Sequence, residues 1–228
     1  MASMRKWLFA AALALGAGLA SAAGAAGTAE VPRDGVEYQT LATPQNTPAG
    51  KQVEIIEFFD YACPHCFAFE PVLAAWLKAQ GDSVVFRRVH VPRDANVEPR
   101  QRLFFTLEAM GLVDKYHNKV FDAIHVERQH MNRDEMIFDW AEKAGIDRTK
   151  FIDTYRSFGV QAKVRQANAM MESYLISMWP TIIVDGRFQT SPTHAIRGKT
   201  APQSEAQRQQ AALAVMDYLL ARARAEKK

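Results

Sequence analysis

The chain has 228 residues, 48% of them hydrophobic and 23% charged, which is enough apolar material for a sizeable core and excludes a disordered ground state. Its formal net charge is +3, and loss of the two cations Arg5 and Lys6 with a cleaved leader brings this to +1, because residues 1–22 contain no acid. So balanced a chain offers no basic stripe for nucleic acid.

The opening, MASMRKWLFAAALALGAGLASAAGAA, has a basic start, an apolar stretch from Trp7 to Ala20 and small residues at 20–22, which is the pattern of a cleaved secretory signal over 1–23. The alternative is an uncleaved anchor. Trp7 to Gly27 carries one polar side chain and is just long enough to span a bilayer. Its second half is Ala and Gly, which partition weakly, and this favours cleavage.

Residues 28–50 are rich in Thr, Pro, Gln and Gly and read as an extended lead-in, with one short strand at VEYQTL. QVEIIEFF (52–59) is a near-continuous β-favouring run that suits a strand covered on both faces. From Cys63 the period changes: Phe67, Glu70, Leu73 and Leu77 recur at helical spacing, and Gly81 stands where a helix stops. SVVFRRVHV (83–91) is a second strand, so residues 52–91 form a βαβ unit with the cysteines at its first turn.

The next 80 or so residues are helical in pattern. Leu103, Phe104, Leu107 and Met110 make one amphipathic stretch, and Val113, Tyr116, Val120 and Ile124 another. Asn132 with Glu135 resembles a capping box ahead of a third, closed by Gly145. Further helices are expected at about 147–156 and 160–176. β character returns at TIIVDGRFQT, where Asp185-Gly186 between two apolar runs signals a hairpin. The tail is an amphipathic helix with Leu213, Met216, Leu219 and Leu220 on one side and a basic end that complements the helix dipole.

Cys63 and Cys66 are the only cysteines in the chain. In an oxidising compartment such a pair is expected to bridge, yet a bridge closing so short a loop restricts the unfolded chain little, so stabilisation is a poor reason to have it. Placed on the first turn of a helix, the pair has a chemical reason instead. Unpaired N–H groups and the positive end of the macrodipole favour a thiolate on Cys63, and His65 adds a hydrogen bond or partial charge. Cys63 is then the exposed nucleophile and Cys66, one turn in, the buried resolving thiol. Stabilising the thiolate favours the reduced form and makes the disulfide an oxidant.

Other uses of the pair fit less well. Zinc would need His125 and His130 as further ligands, but they stand far along the chain on or near a helix, and Pro64 stiffens the turn. Covalent haem attachment needs a histidine after the second cysteine, where the chain has Phe67. An inert staple leaves the helix-start placement without a reason.

Glu57 shares a strand face with Ile55 and Phe59, so a buried carboxyl that holds its proton to higher pH and exchanges it with Cys66 is one reading. Escape to solvent, or a pair with Arg87 or Arg88, is the other; Glu54 is expected to be the exposed acid of the two. In SMWPTIIV, Pro180 opens a strand. By base rate its peptide bond would be trans.

EFFDYACPHC, the βαβ pattern, the helical stretch and WPTIIVDGRF together resemble the DsbA family of periplasmic thiol:disulfide oxidoreductases. The likeness covers nearly all of the chain after the signal. It implies an α/β, thioredoxin-like fold with an inserted helical domain, divided as residues 31–95, 96–165 and 166–228. It also implies a periplasmic dithiol oxidase that introduces disulfide bonds into exported polypeptides, and reoxidation by a quinone-linked membrane protein of the DsbB type. By position Cys63 is the nucleophile, Cys66 the resolving thiol, Pro64 and His65 the tuning dipeptide, Glu57 the family's buried acid and Pro180 its cis-proline. Trp179 departs from the Val or Thr more common before that proline and places substrate range in question. His90 matches a histidine after the second strand. The expected enzyme is a monomer that works without cofactor or metal. An isomerase or reductase on the same fold, and a non-catalytic peptide-binding module, are the alternatives.

Overall fold

A computed structural model describes residues 30–92 and 97–227, and the signal reading of 1–23 lies outside them. Among the described residues the chain forms β1 (Gln39–Thr40), β2 (Val53–Phe59), α1 (Pro64–Gln80), β3 (Val84–His90), α2 (Glu98–Ala109), α3 (Val113–His125), α4 (Asp134–Lys143), α5 (Arg148–Tyr155), α6 (Phe158–Ser173), β4 (Thr181–Val184), β5 (Phe188–Thr190) and α7 (Glu205–Glu226). No described helix is long and apolar enough to cross a membrane.

The five strands form one sheet in the order β1-β5-β4-β2-β3. β2 and β3 run parallel with Glu57 opposite Arg88, whereas β2 and β4 run antiparallel with Glu57 opposite Ile182. Every residue of β2 is buried, as its unbroken apolar pattern requires of a central strand covered on both sides. On one face Val53, Ile55, Ile182 and Val184 pack on Phe69, Leu73 and Trp76 of α1 and on Ala212, Met216 and Leu219 of α7. On the other, Ile56, Phe58, Val89 and Ile183 meet the core of helices α2 to α6. All five of those helices stand between β3 and β4 in the chain, and α6 runs through residue 165 to Ser173.

That second layer corrects one expectation. Glu54 is buried, at 2% exposure, because the helices close over the face that a half-covered sheet would leave open; its Oε1 lies 3.7 Å from Arg87. The box at Asn132 and Glu135 does not form either. Arg133 takes the N-cap of α4 in an extended conformation with no side-chain cap. A reciprocal capping box occurs instead at the start of α7, between Ser204 and Gln207. The Asp185-Gly186 turn is left-handed at both residues and joins β4 to β5. A Cβ on Gly186 would stand 2.2 Å from the Gln45 carbonyl, so glycine alone fits there.

Because Leu219 is fully buried between α7 and the sheet, Leu219→Ala is expected to cost about 2–5 kcal/mol. The capping variant Ser204→Ala is expected to cost about 1 kcal/mol. Urea unfolding of both checks this through a lower midpoint at unchanged slope.

Candidate active site

β2 ends at Phe59, and the chain turns before α1 through hydrogen bonds centred on Asp60. The Cys63 N–H donates to the Asp60 carbonyl (2.9 Å), and the Ala62 N–H to Asp60 Oδ1 (2.9 Å). Pro64 opens α1, where its lack of an N–H is harmless. Cys63 is the N-cap and has no side-chain cap bond, so the free N–H groups of the first turn are left for its sulfur.

Both cysteines are unbridged thiols. The Cys63 thiol is pulled down to about 7, first by a hydrogen bond from the Cys66 thiol and then, against the upward push of burial, by the backbone N–H groups of Cys66 and His65 and the His65 charge. Cys66 moves the other way. Burial raises it most, and the neighbouring Cys63 and Glu57 raise it further. Cys63 does not stand clear of the surface as expected: it is 6% exposed against 0% for Cys66, because the loop ahead of β4 folds over it. Its sulfur lies 3.6 Å from the Trp179 carbonyl oxygen. The Trp179-Pro180 peptide bond is cis; Trp179 is half-buried against the core of the helical layer, and Pro180 is buried. Pro64 and His65 are exposed, with His65 Nδ1 3.2 Å from Glu205 Oε1 at the start of α7.

Glu57 lies beneath the thiols, 1% exposed, with Arg88 Nε donating to its Oε2 at 3.2 Å. It is thus both the buried acid and the partner of Arg88, readings that the sequence left as rivals. Burial pushes its carboxyl up to about 8, with Glu70 and Cys63 adding to the push and Arg88 opposing it. The sequence showed Glu70 only as part of a helical period. In the fold it stands one turn after Cys66, and its Oε1 accepts from Arg88 Nη2 at 2.5 Å. Burial raises Glu70, but His117 and Arg88 outweigh it and the net direction is down. An acid among apolar residues on a buried helix face was the available signal.

The histidines near the turn are held by protein groups. His90 accepts the Tyr61 N–H at Nε2 (3.1 Å) and donates from Nδ1 to the Val91 carbonyl (3.1 Å); burial lowers it to about 4, so it stays neutral beside Asp60. His125 donates to the Tyr61 carbonyl (2.8 Å) and stacks on Phe67 at 4.8 Å. His130 contributes a carbonyl to Arg100.

Residues 54–204 match the DSBA-like thioredoxin domain family. The thiol:disulfide interchange protein DsbA of Burkholderia cepacia is 39% identical over 184 residues, 80% of this chain and 84% of that protein. Its counterpart in Pseudomonas aeruginosa strain PAO1 is 33% identical over 75% of this chain and 81% of that protein. The crystal structure of P. aeruginosa DsbA superposes with a TM-score of 0.78 at 30% identity, covering 87% of this chain and 97% of that one.

Two titrations follow from the site. In the reduced protein, thiolate absorbance is expected to rise with one midpoint near 7 and the second sulfur far above it. Glu57 has a folded-state value raised from 4.5 to about 8, so the native state binds the proton more tightly and stability falls as pH rises through that window. Glu57→Gln removes this slope. Relative to the parent, the reduced variant is expected to gain on the order of a few kcal/mol between pH about 5 and about 8 in denaturant unfolding; a difference independent of pH would show Glu57 already ionised.

Proposed function

The chain belongs to the DSBA-like thioredoxin domain family and is a thiol:disulfide oxidoreductase, and from that premise we propose that it is an exported, periplasmic dithiol oxidase whose nucleophile is Cys63. The observation that carries the reading is the Cys63 sulfur, held at the N-terminus of α1 with its thiol pulled toward neutrality and the Trp179 carbonyl beside it. The oxidised pair accepts two electrons from a reduced exported polypeptide. A substrate thiolate bonds to Cys63 Sγ, the Cys63–Cys66 bond breaks, and Cys66 leaves as a thiolate that takes up a proton. A second substrate thiolate then bonds to the first substrate sulfur, completes the substrate disulfide and expels Cys63 as a stabilised thiolate.

Glu57 serves as the proton holder for Cys66. Its raised value keeps it protonated at neutral pH, ready to give the proton when Cys66 leaves and to take one back when Cys66 attacks during reoxidation. Pro64 and His65 tune the Cys63 thiolate, His65 by its charge and backbone N–H. Trp179 and Pro180 form the edge against which an extended substrate segment pairs by backbone hydrogen bonds, and the Trp179 ring sets which residues fit beside the scissile sulfur. The chain divides as thioredoxin-like segments 31–95 and 166–228 around a helical insertion, 96–165. It works as a monomer without cofactor or metal, since the electrons reside on the two sulfurs. A quinone-linked membrane protein of the DsbB type returns the pair to the disulfide.

Cys63→Ser is expected to reduce catalysed oxidative refolding of a reduced secreted protein to the uncatalysed rate. Cys66→Ser keeps the Cys63 nucleophile but has no disulfide of its own. Its Cys63 thiolate is expected to attack added oxidised glutathione, bond to one sulfur, expel the other as glutathione thiolate, and remain trapped as a mixed disulfide that added thiol releases. Refolding activity surviving in Cys63→Ser would instead mark a peptide-binding module.

A further inference from the structure

Behind the thiols, two buried carboxylates share one permanent cation: Arg88 Nε faces Glu57 and Arg88 Nη2 faces Glu70. His117 of α3 closes this cluster from the helical layer. Its Nε2 stands 3.3 Å from Glu70 Oε2, the oxygen that Arg88 leaves free, and its Nδ1 stands 2.9 Å from the Tyr61 hydroxyl. The ring is buried among Phe59, Phe104 and Phe121. Neither Glu70 Oε2 nor His117 Nε2 makes a hydrogen bond of good geometry in the described structure, to each other or to any other group, so the 3.3 Å contact is an electrostatic one between two otherwise unpartnered buried atoms. One tautomer suits both ends: with Tyr61 O–H donating to Nδ1, the proton lies on Nε2, the nitrogen beside Glu70. The groups bearing on the ring are Glu70 from α1, Arg88 and His90 from β3, Tyr61 from the turn and Asp114 from its own helix, with Glu57 beyond Arg88. Burial is the largest influence on His117 and lowers it, so the ring acts as a neutral donor and adds no second cation to the cluster.

We propose that His117 is a positioning residue for the thiol chemistry: by holding the positive edge of its ring, Nε2–H, 3.3 Å from Glu70 Oε2 it offsets part of that carboxylate's charge and leaves the Arg88 Nε available to Glu57. The inference rests on Glu57 being the proton holder for Cys66. Without that Nε2–H beside it, a buried anionic oxygen that already lacks a hydrogen bond loses its remaining electrostatic support, which is costly. The guanidinium shifts toward Glu70, and Glu57 loses part of its counter-charge. Glu57 then keeps its proton to higher pH, and the step in which Cys66 must lose a proton to it moves upward as well.

The two amide replacements separate positioning from packing. In His117→Asn the amide stands near the former Nδ1, within reach of Tyr61 but not of Glu70. In His117→Gln it extends to the former Nε2 and restores the donor. The measurements are the Glu57 titration in the reduced protein, by carboxyl-carbon NMR, and the pH dependence of reoxidation by oxidised glutathione. Expected is an upward shift of about half a unit in both for His117→Asn, with His117→Gln at the parental values. A raised parental Glu57 midpoint that His117→Asn leaves in place, or equal shifts in the two variants, overturns the proposal alone. A parental midpoint in the ordinary carboxylate range overturns the proton-holder role together with it. If His117→Asn does not fold, Tyr61→Phe, which removes the hydroxyl that fixes the tautomer, carries the same expectation of an upward shift, and no shift overturns it.

Discussion

A carboxyl group in the middle of a fully buried strand is the constraint around which this molecule is arranged. Glu57 occupies the central strand, where water is excluded on both faces, and the parallel register with β3 sets Arg88 directly opposite. Arg88 must serve Glu70 as well, so the charges beneath the thiols do not cancel, and one carboxyl keeps its proton. Burial raises the Cys66 thiol most, with Cys63 and Glu57 adding to it, while Cys63, at the helix end with backbone donors around it, is lowered. Two identical side chains three residues apart thus acquire opposite acid strengths from their surroundings.

The helices between β3 and β4 supply the second half of that environment. They cover the strand face that carries Glu54, bring His117 to Glu70, and send His125 to the carbonyl of Tyr61 in the active turn. An open α/β unit carrying the same turn would leave these groups wet and weakly coupled.

Much of this was legible in the sequence. The strand, the turn with its two cysteines and the helix after it follow from a change of apolar period at Cys63, and the hairpin follows from Asp185-Gly186. The buried acid was readable because a carboxylate inside QVEIIEFF has few places to go. What the sequence did not disclose is long-range. Glu54 was expected to face solvent although a strand covered on both faces leaves neither side open, and the arginine that stands by it in the buried position, Arg87, comes from the neighbouring strand. The Asn132 cap failed because Arg133 took the cap position in an extended conformation, a choice that local patterning cannot rank. His117 and Glu70 are ordinary members of helical patterns until the fold sets their side chains against each other.

The seam between α1 and α3 also bears on how the molecule moves. His125 donates to the turn's backbone while its ring lies flat on Phe67, one residue past Cys66. Hinge opening of the helical layer would have to break both contacts, and with them part of the cover over the turn that carries the two sulfurs. Substrate docking as proposed, at the loop carrying Trp179 and Pro180, asks for no opening of this seam.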